Sequence, residues 1–472
     1  MEIIHVSAEC YPVAKAGGLG DVVGALPKYQ NLSGHIAKVV MPMYRTKFLY
    51  NNQWDVVHKG QIHMGYWALD YTVIHERTNA LGFDLYLVDI NGLLDREKIY
   101  GYDDDSERFT SFQIAVVDWI ASWKHTPDII HVHDHHTGLI PFMIKHCVAY
   151  QHLQSIPSVL TIHNAQYQGW MDWDKSGYIP AWDTWKWGLL DWKNMINPLA
   201  SGIKNAWKVT TVSWSYLSEL RQSANGLEAL FEYEKGKCVG ILNGIDAQVW
   251  DPQTDTYLEH NYGLEDEDKG KLANKKVICD RFDLDINKPL IGFIGRLVGE
   301  KGADLLPGVI GDTFYYVGRK VNFIILGSGF PEVESQLNSL KSLSAGDYNV
   351  YIGYNEGLSH ILYAGCDFLL MPSRVEPCGL NQMYAMRYGT VPIVRNTGGL
   401  RDTVIDIGDP NGYGIRFNNA AVGDITHAIW RAVELYKDEE LVEEIREYMM
   451  QLDFSWETSV KQYLEVYESL TS

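Results

Sequence analysis

The sequence is short of positive charge, has no long apolar run and pairs none of its cysteines in a recognisable motif. Lysine and arginine number 40 against 60 aspartates and glutamates, a formal charge of −20. So acidic a surface argues against nucleic acid or an anionic membrane as the main partner, although a local cluster of cations can still hold a small anion. No apolar stretch approaches the ~18 residues of a membrane span. Residues 1–6 have neither the basic nor the apolar region of a secretory signal. Cys10, Cys147, Cys238, Cys279, Cys366 and Cys378 include no C-x-x-C pair, and their spacing suits neither a zinc site nor a disulfide framework. The expectation is a reduced, cytoplasmic, soluble protein. Apolar residues at 46% and charged residues at 21% exclude a disordered chain, a collagen and a small disulfide scaffold. Aromatic rings are plentiful, with 15 Trp and 29 Tyr. They suit a ligand with flat faces, such as a sugar, and they equally suit core packing.

At ~150 residues per domain the length fits about three domains, or two large ones. Nearly continuous apolar runs at 3–6, 39–41, 85–90, 129–132, 159–162 and 209–212 read as strands buried on both faces. Helical patterns lie between several of them, as at 109–124, where Phe112, Val116, Ile120 and Trp123 share a face. A second series follows at 290–294, 321–326, 350–352, 368–371 and 392–394. Strand–helix alternation implies parallel sheets built from βαβ units. Between the series run Asn243-Gly244-Ile245-Asp246, Trp250-Asp251-Pro252 and an acidic stretch at 261–269, read as an interdomain crossing. The chain is therefore expected to form two doubly wound α/β domains with a cleft between them and a helical tail. In such sheets ligands bind at the carboxyl ends of the strands.

The motifs lie at those ends. Lys15-Ala16-Gly17-Gly18-Leu19-Gly20-Asp21-Val22 follows the first strand and opens a helix, making a phosphate cradle or a plain tight turn. In Gly295-Arg296-Leu297-Val298-Gly299-Glu300-Lys301-Gly302, two cations five residues apart could clamp a diphosphate or form a solvated loop. Ser373-Arg374-Val375-Glu376-Pro377-Cys378-Gly379-Leu380-Asn381-Gln382 places Glu376 at a strand end, with the amides of Cys378 to Asn381 as a second anion site. Asn396-Thr397-Gly398-Gly399-Leu400-Arg401-Asp402 repeats the Gly-Gly-Leu device. His131, His133 and His135 alternate as metal ligands can, but no second ligand group of comparable spacing accompanies them, so Asp134 and its neighbours are read as hydrogen-bonding a polar substrate. Thr161-Ile162-His163-Asn164 also ends a strand. Trp170, Trp173, Trp182, Trp185, Trp187 and Trp192 crowd one stretch, read mainly as packing of a helical subdomain.

With these segments in this order, the chain resembles the bacterial glycogen synthases and plant starch synthases across its full length. Thr210-Thr211-Val212-Ser213 and Leu242-Asn243-Gly244-Ile245-Asp246 add to the match. Many other retaining transferases have a second Glu where this chain has Tyr384, and Phe where it has Cys378, which points to the glycogen/starch branch. The resemblance implies a GT-B fold: two Rossmann-like doubly wound domains facing across a deep cleft. They are placed at 1–246 and 247–453, with a helix at 454–472 crossing back to the first domain. It implies transfer of glucose from ADP-glucose to the non-reducing 4-hydroxyl of an α-1,4-glucan (glycogen or maltooligosaccharides) with retention, and with no metal or cofactor. By the same resemblance, Arg296 and Lys301 neutralise the leaving diphosphate, and Lys15 and Gly18 reach it from the other domain. Glu376 contacts the transferred glucose, while Cys378, Gly379, Leu380 and Asn381 support sugar and phosphate through their amides. His163 and Asp134 lie near the reacting centre, Tyr354 stacks on the base, and Glu9, Asn164 and Asn243 lie on the acceptor side. Donor binding is expected to close the cleft. Departures from the family pattern are Asn381 for Thr, Asn396 for a frequent Arg, Ala200 for a common Lys, and Asn355 near a usual Asp. UDP-glucose as donor, an inactive glucan-binding homologue and a metal-dependent hydrolase are the competing readings.

Overall fold

The computed structural model describes residues 1–344 and 346–471. It divides into two compact units, one formed by Met1–Leu242 with the chain from Trp456 onward, the other by Asn243–Ser455.

The first unit holds β1 (Glu2–Val6), β2 (Ile36–Pro42), β3 (Trp54–Met64), β4 (Trp67–Glu76), β5 (Asp84–Asp89), β6 (Ile129–His133), β7 (Ser158–Ile162), β8 (Asp191–Trp192), β9 (Met195–Ile196), β10 (Lys208–Thr211) and β11 (Cys238–Gly240). Nine of them form one sheet in the order β11-β10-β7-β6-β1-β2-β5-β4-β3. It is parallel except at β4, which runs antiparallel to both β3 and β5. From β1 the chain passes to β2, then to the far edge at β3, comes back through β4 to β5, and crosses to β6 on the other flank of β1. The strand order therefore reverses between β1 and β6, which opens a crevice at their carboxyl ends. Every run expected as a strand carries one. The β3–β4 hairpin, the short β8–β9 ribbon and β11 had no such signal. In the hairpin the reason is visible: much of β3 is exposed, and an irregularity between Val56 and His58 shifts the register, so no clean alternation survives.

The second unit is a six-stranded parallel sheet of β12 (Leu290–Ile294), β13 (Asn322–Gly327), β14 (Tyr348–Ile352), β15 (Phe368–Met371), β16 (Val391–Arg395) and β17 (Ile415–Phe417), in the order β14-β13-β12-β15-β16-β17. Its reversal falls between β12 and β15. The three-residue β17 is too short to carry a pattern of its own.

The final helix, Trp456–Thr471, belongs to the first unit. It buries Trp456, Val460, Tyr463 and Tyr467, one stripe at helical spacing, against Ile3, Val22, Leu26, Tyr29, Ile129 and Val159. At ~1.5–3 kcal/mol per large buried side chain this is a firm attachment. Among the described residues no helix is long and apolar enough to cross a membrane.

Candidate active site

In the first unit the loops leaving β1 and β6 flank the reversal point and carry Glu9 and Asp134. Glu9 is buried, and its two oxygens are taken: Oε2 accepts from the N–H groups of Ala16 (2.7 Å) and Gly17 (3.1 Å), and Oε1 from the Tyr100 hydroxyl (2.6 Å). The carboxylate thus shapes the glycine-rich loop. A buried carboxylate needs donors, and this one takes two of the loop's amides. The start of helix Gly18–Leu32 remains accessible: a Cβ on Gly17 or Gly18 would meet no atom within 4 Å. Protein packing does not demand glycine there. Lys15 is not a lone charge but pairs with Asp21 at 2.6 Å. Such a part-exposed pair is worth ~0–1 kcal/mol and is readily exchanged for an anion.

Asp134 follows β6 at φ 56°, a region uncommon for a side-chain-bearing residue. Its Oδ1 accepts from the N–H of His163 at 2.7 Å and, more weakly, of Asn164 at 3.5 Å, so it holds the loop leaving β7. Burial raises its carboxyl to about 7, against the pull of those two amides. His163 is buried and, by the same cost of desolvating charge, lowered to about 3, so it is neutral at physiological pH. The Asn164 side chain closes a local turn by accepting from Gln166 N–H.

His5, His131 and His133 place ring nitrogens within 4.8 Å of one another, close enough to share a metal ion. All six of those nitrogens already have hydrogen-bond partners among side chains. His135 lies beyond the strand in a short turn. The trio is built as a hydrogen-bonded network, which argues against the metal-dependent reading. The tryptophan stretch holds short 3-10 turns rather than a helical subdomain, and Trp173 and Trp187 line a surface pocket of about 280 Å³ with Asp191 and Asn194.

In the second unit the loops after β12 and β15 flank the reversal and bring Lys301 to Glu376. The Lys301 ammonium donates to both Glu376 oxygens, at 2.7 and 2.8 Å, and the Ser373 hydroxyl adds a bond at 2.8 Å. The family resemblance implies different parts of a ligand for these two residues; that they also hold each other depends on loops 75 residues apart. Arg296 is well exposed, with Glu300 at a long 3.9 Å. Among the described residues no acceptor meets the N–H groups of Gly379, Leu380 and Asn381. Asn381 instead uses its side-chain amide to bind the Ile294 carbonyl at 2.8 Å, tying this turn to the end of β12. Cys378 is buried, its thiol pushed up to about 12 by desolvation. Two glycines make room for this loop: a Cβ on Gly398 or Gly399 would fall 2.0 Å from the carbonyl oxygens of Glu376 and Cys378 respectively. Asn243 belongs to this second unit, its backbone N–H directed to the Cys378 sulfur. Tyr354 follows β14 with its ring 83% exposed. Tyr384, at the position of the second Glu of other transferases, stacks on Trp250 at 3.7 Å.

Residues 2–233 match the family model of the starch synthase catalytic domain, and residues 277–451 that of glycosyl transferases group 1. The glycogen synthase of Flavobacterium johnsoniae is 53% identical, over 99% of this chain and 98% of that one. The chain belongs to the glycogen synthase family. A Streptococcus pneumoniae glycogen synthase is 37% identical over the whole of both chains. The catalytic domain of starch synthase IV from Arabidopsis thaliana, solved bound to ADP and acarbose, superposes with a TM-score of 0.88 at 31% identity, covering 99% of each chain. A sucrose-phosphate synthase from Thermosynechococcus elongatus, with a TM-score of 0.64 and 16% identity, shares the fold. The two Rossmann-like units are therefore those of a GT-B enzyme, and the chain is a glycosyltransferase.

Proposed function

We propose that the protein transfers glucose from ADP-glucose to the non-reducing 4-hydroxyl of an α-1,4-glucan, retaining configuration and using no metal or cofactor. The observation that carries this is the reversal point of the second sheet, where the Lys301 ammonium, the exposed Arg296 guanidinium and the unoccupied amides of Gly379 to Asn381 gather. That is a donor set for a diphosphate. Tyr354 offers an exposed ring for a base. The ADP and acarbose bound by the Arabidopsis relative support an adenine nucleotide and a sugar ligand of the same class. In the step proposed, the bond from glucose C1 to the diphosphate oxygen breaks, its electron pair leaves with ADP, and C1 bonds the acceptor O4. The acceptor proton passes to the departing phosphate on the same face. Full hydrogen bonding of both oxygens of Glu9 and of Glu376 supports this route over attack by a free carboxylate nucleophile. Lys15 and Gly18 assist at the phosphate in this reading, with His163, Asp134 and Asn164 at the sugar and acceptor. A cytoplasmic setting fits the six free, buried cysteines.

The test is incorporation of labelled glucose into glycogen from ADP-glucose and UDP-glucose in parallel, with and without strong chelator. Preference for ADP-glucose that survives chelation is the expected result. Product from UDP-glucose alone would overturn the donor assignment, and product from neither would overturn the transfer itself.

A further inference from the structure

A polar strip runs along the face of the first sheet that helices Gly18–Leu32 and Trp456–Thr471 cover. Strand alternation puts His131 and His133 on one face. The register sets His5 beside His131, Thr161 beside His133, and Thr210 beside Thr161. All are buried. Their side chains form two continuous runs of hydrogen bonds that meet at Gln30. Along the first, Gln30 Oε1 lies 2.7 Å from His5 Nε2, His5 Nδ1 lies 3.0 Å from His133 Nε2, and His133 Nδ1 lies 3.0 Å from His163 Nε2. Along the second, Gln30 Nε2 lies 3.1 Å from the Tyr467 hydroxyl, which lies 2.6 Å from His131 Nδ1. His131 Nε2 then meets Thr161 Oγ1 at 2.6 Å, and Thr161 meets Thr210 at 2.6 Å.

Burial keeps the four imidazoles neutral: His5 is lowered to about 4 and His163 to about 3, and His131 and His133 fall well below their usual range. Each ring then carries one N–H, so the direction of one bond decides the next. Imidazole and hydroxyl groups can serve either way round. The Gln30 amide cannot, because its carbonyl only accepts and its nitrogen only donates. With Oε1 toward His5, the His5 proton sits on Nε2. His5 Nδ1 then accepts from His133 Nε2–H, and His133 Nδ1 accepts from His163 Nε2–H. At the other end, Gln30 Nε2–H donates to the Tyr467 oxygen, whose own proton goes to His131 Nδ1. Turning the amide end for end would reverse every bond in both runs.

We propose that Gln30 and Tyr467 are positioning residues that set the tautomer of His163, holding its proton on Nε2 and leaving Nδ1 as a bare acceptor for a ligand hydroxyl. Among the described residues nothing bonds that Nδ1. The hydroxyl would belong to the transferred hexose, a part of the inference that rests on the proposed function. The C-terminal helix thereby reaches the site through a wire of protons rather than by contact with substrate.

The test is a long-range ¹H–¹⁵N correlation spectrum of the full-length protein labelled at histidine, with His163 assigned by loss of its signals in His163→Gln. The expected spectrum has His163 protonated at Nε2 and unprotonated at Nδ1. Tyr467→Phe keeps the packed ring and deletes the acceptor of the Gln30 Nε2–H group, so the amide loses one of its two partners. It should give averaged His163 shifts of mixed tautomers and lower kcat about two- to tenfold, the worth of one hydrogen bond. Gln30→Met should do the same, whereas Gln30→Glu keeps an acceptor on His5 and the Nε2–H form of His163. Wild-type His163 protonated at Nδ1 overturns the proposal, as does an unchanged tautomer in folded Tyr467→Phe and Gln30→Met. A shifted tautomer with unchanged kcat overturns the ligand role of Nδ1. The spectrum needs no turnover, so failure of the transfer assay and failure of the relay are read separately.

Discussion

Replacing Lys301 by alanine separates its two jobs. In the structure its ammonium makes two short hydrogen bonds to Glu376, a side chain only 8% exposed, while the lysine itself is 24% exposed. Breaking a fully buried pair costs about 3–5 kcal/mol, and an exposed pair about 0–1 kcal/mol. With Ser373 still donating to Glu376, the loss of Lys301 falls between, at about 1–3 kcal/mol. At about 2–4 °C per kcal/mol for a unit of this size, the melting temperature should drop roughly 2–12 °C. Activity should fall much further, by about 10²–10³ in kcat, because a cation aimed at the leaving diphosphate is lost. The double variant Lys301→Ala/Glu376→Gln no longer buries an unpaired carboxylate. It should recover part of the melting temperature and none of the kcat. Calorimetry and labelled-glucose incorporation measure the two quantities on the same preparations. A kcat within threefold of wild type in Lys301→Ala, or its recovery in the double variant, would refute the reasoning and make the pair a structural one.

Three other outcomes are expected. Folding raises the Asp134 carboxyl from 3.8 to about 7, so its stabilising contribution is full below about pH 4 and is lost as pH climbs toward 7. Asp134→Asn should therefore raise stability at pH 7 relative to pH 4 by on the order of 2–4 kcal/mol compared with wild type; the same difference between variant and wild type in urea-unfolding free energy at both pH values would contradict this. Gly18→Ala and Gly399→Ala should diverge: the first meets no neighbour and should leave stability within about 1 kcal/mol while weakening donor binding. The second drives a Cβ to 2.0 Å from the Cys378 carbonyl and should destabilise, and equal urea midpoints would argue against this geometry. Arg296→Ala and Tyr354→Ala, both at exposed side chains, should leave the melting temperature unchanged, the first lowering kcat by about 10²–10³ and the second raising the donor KM by about 5–150-fold, the worth of ~1–3 kcal/mol of base stacking.

The buried parallel strands were legible because a strand covered on both faces must be apolar along its length, and short runs such as 129–132 and 368–371 leave little else to conclude. The β3–β4 hairpin was not, because a partly exposed strand with a register shift keeps no period. Site residues on loops after strands were legible as positions, since glycine, a cation or a carboxylate at a strand end is chemically conspicuous. Their partners were not. No helical or strand period pairs Glu9 with the amides of Ala16 and Gly17 or Lys15 with Asp21, and Lys301 and Glu376 lie 75 residues apart. The run of histidines at 131, 133 and 135 suggested an ion by its spacing, whereas the fold commits the nitrogens of His131 and His133 to Tyr467, Thr161, His5 and His163.

By itself the sequence determined two doubly wound units, the strand ends that carry chemistry and the kinds of group stationed there, because burial pattern and backbone freedom are properties of short stretches of chain. Tertiary structure alone decided which of those groups neutralise one another, which amides stay open, and which way each buried proton points. Charge pairing and hydrogen-bond direction depend on distances of about 3 Å between residues that lie from six to several hundred positions apart.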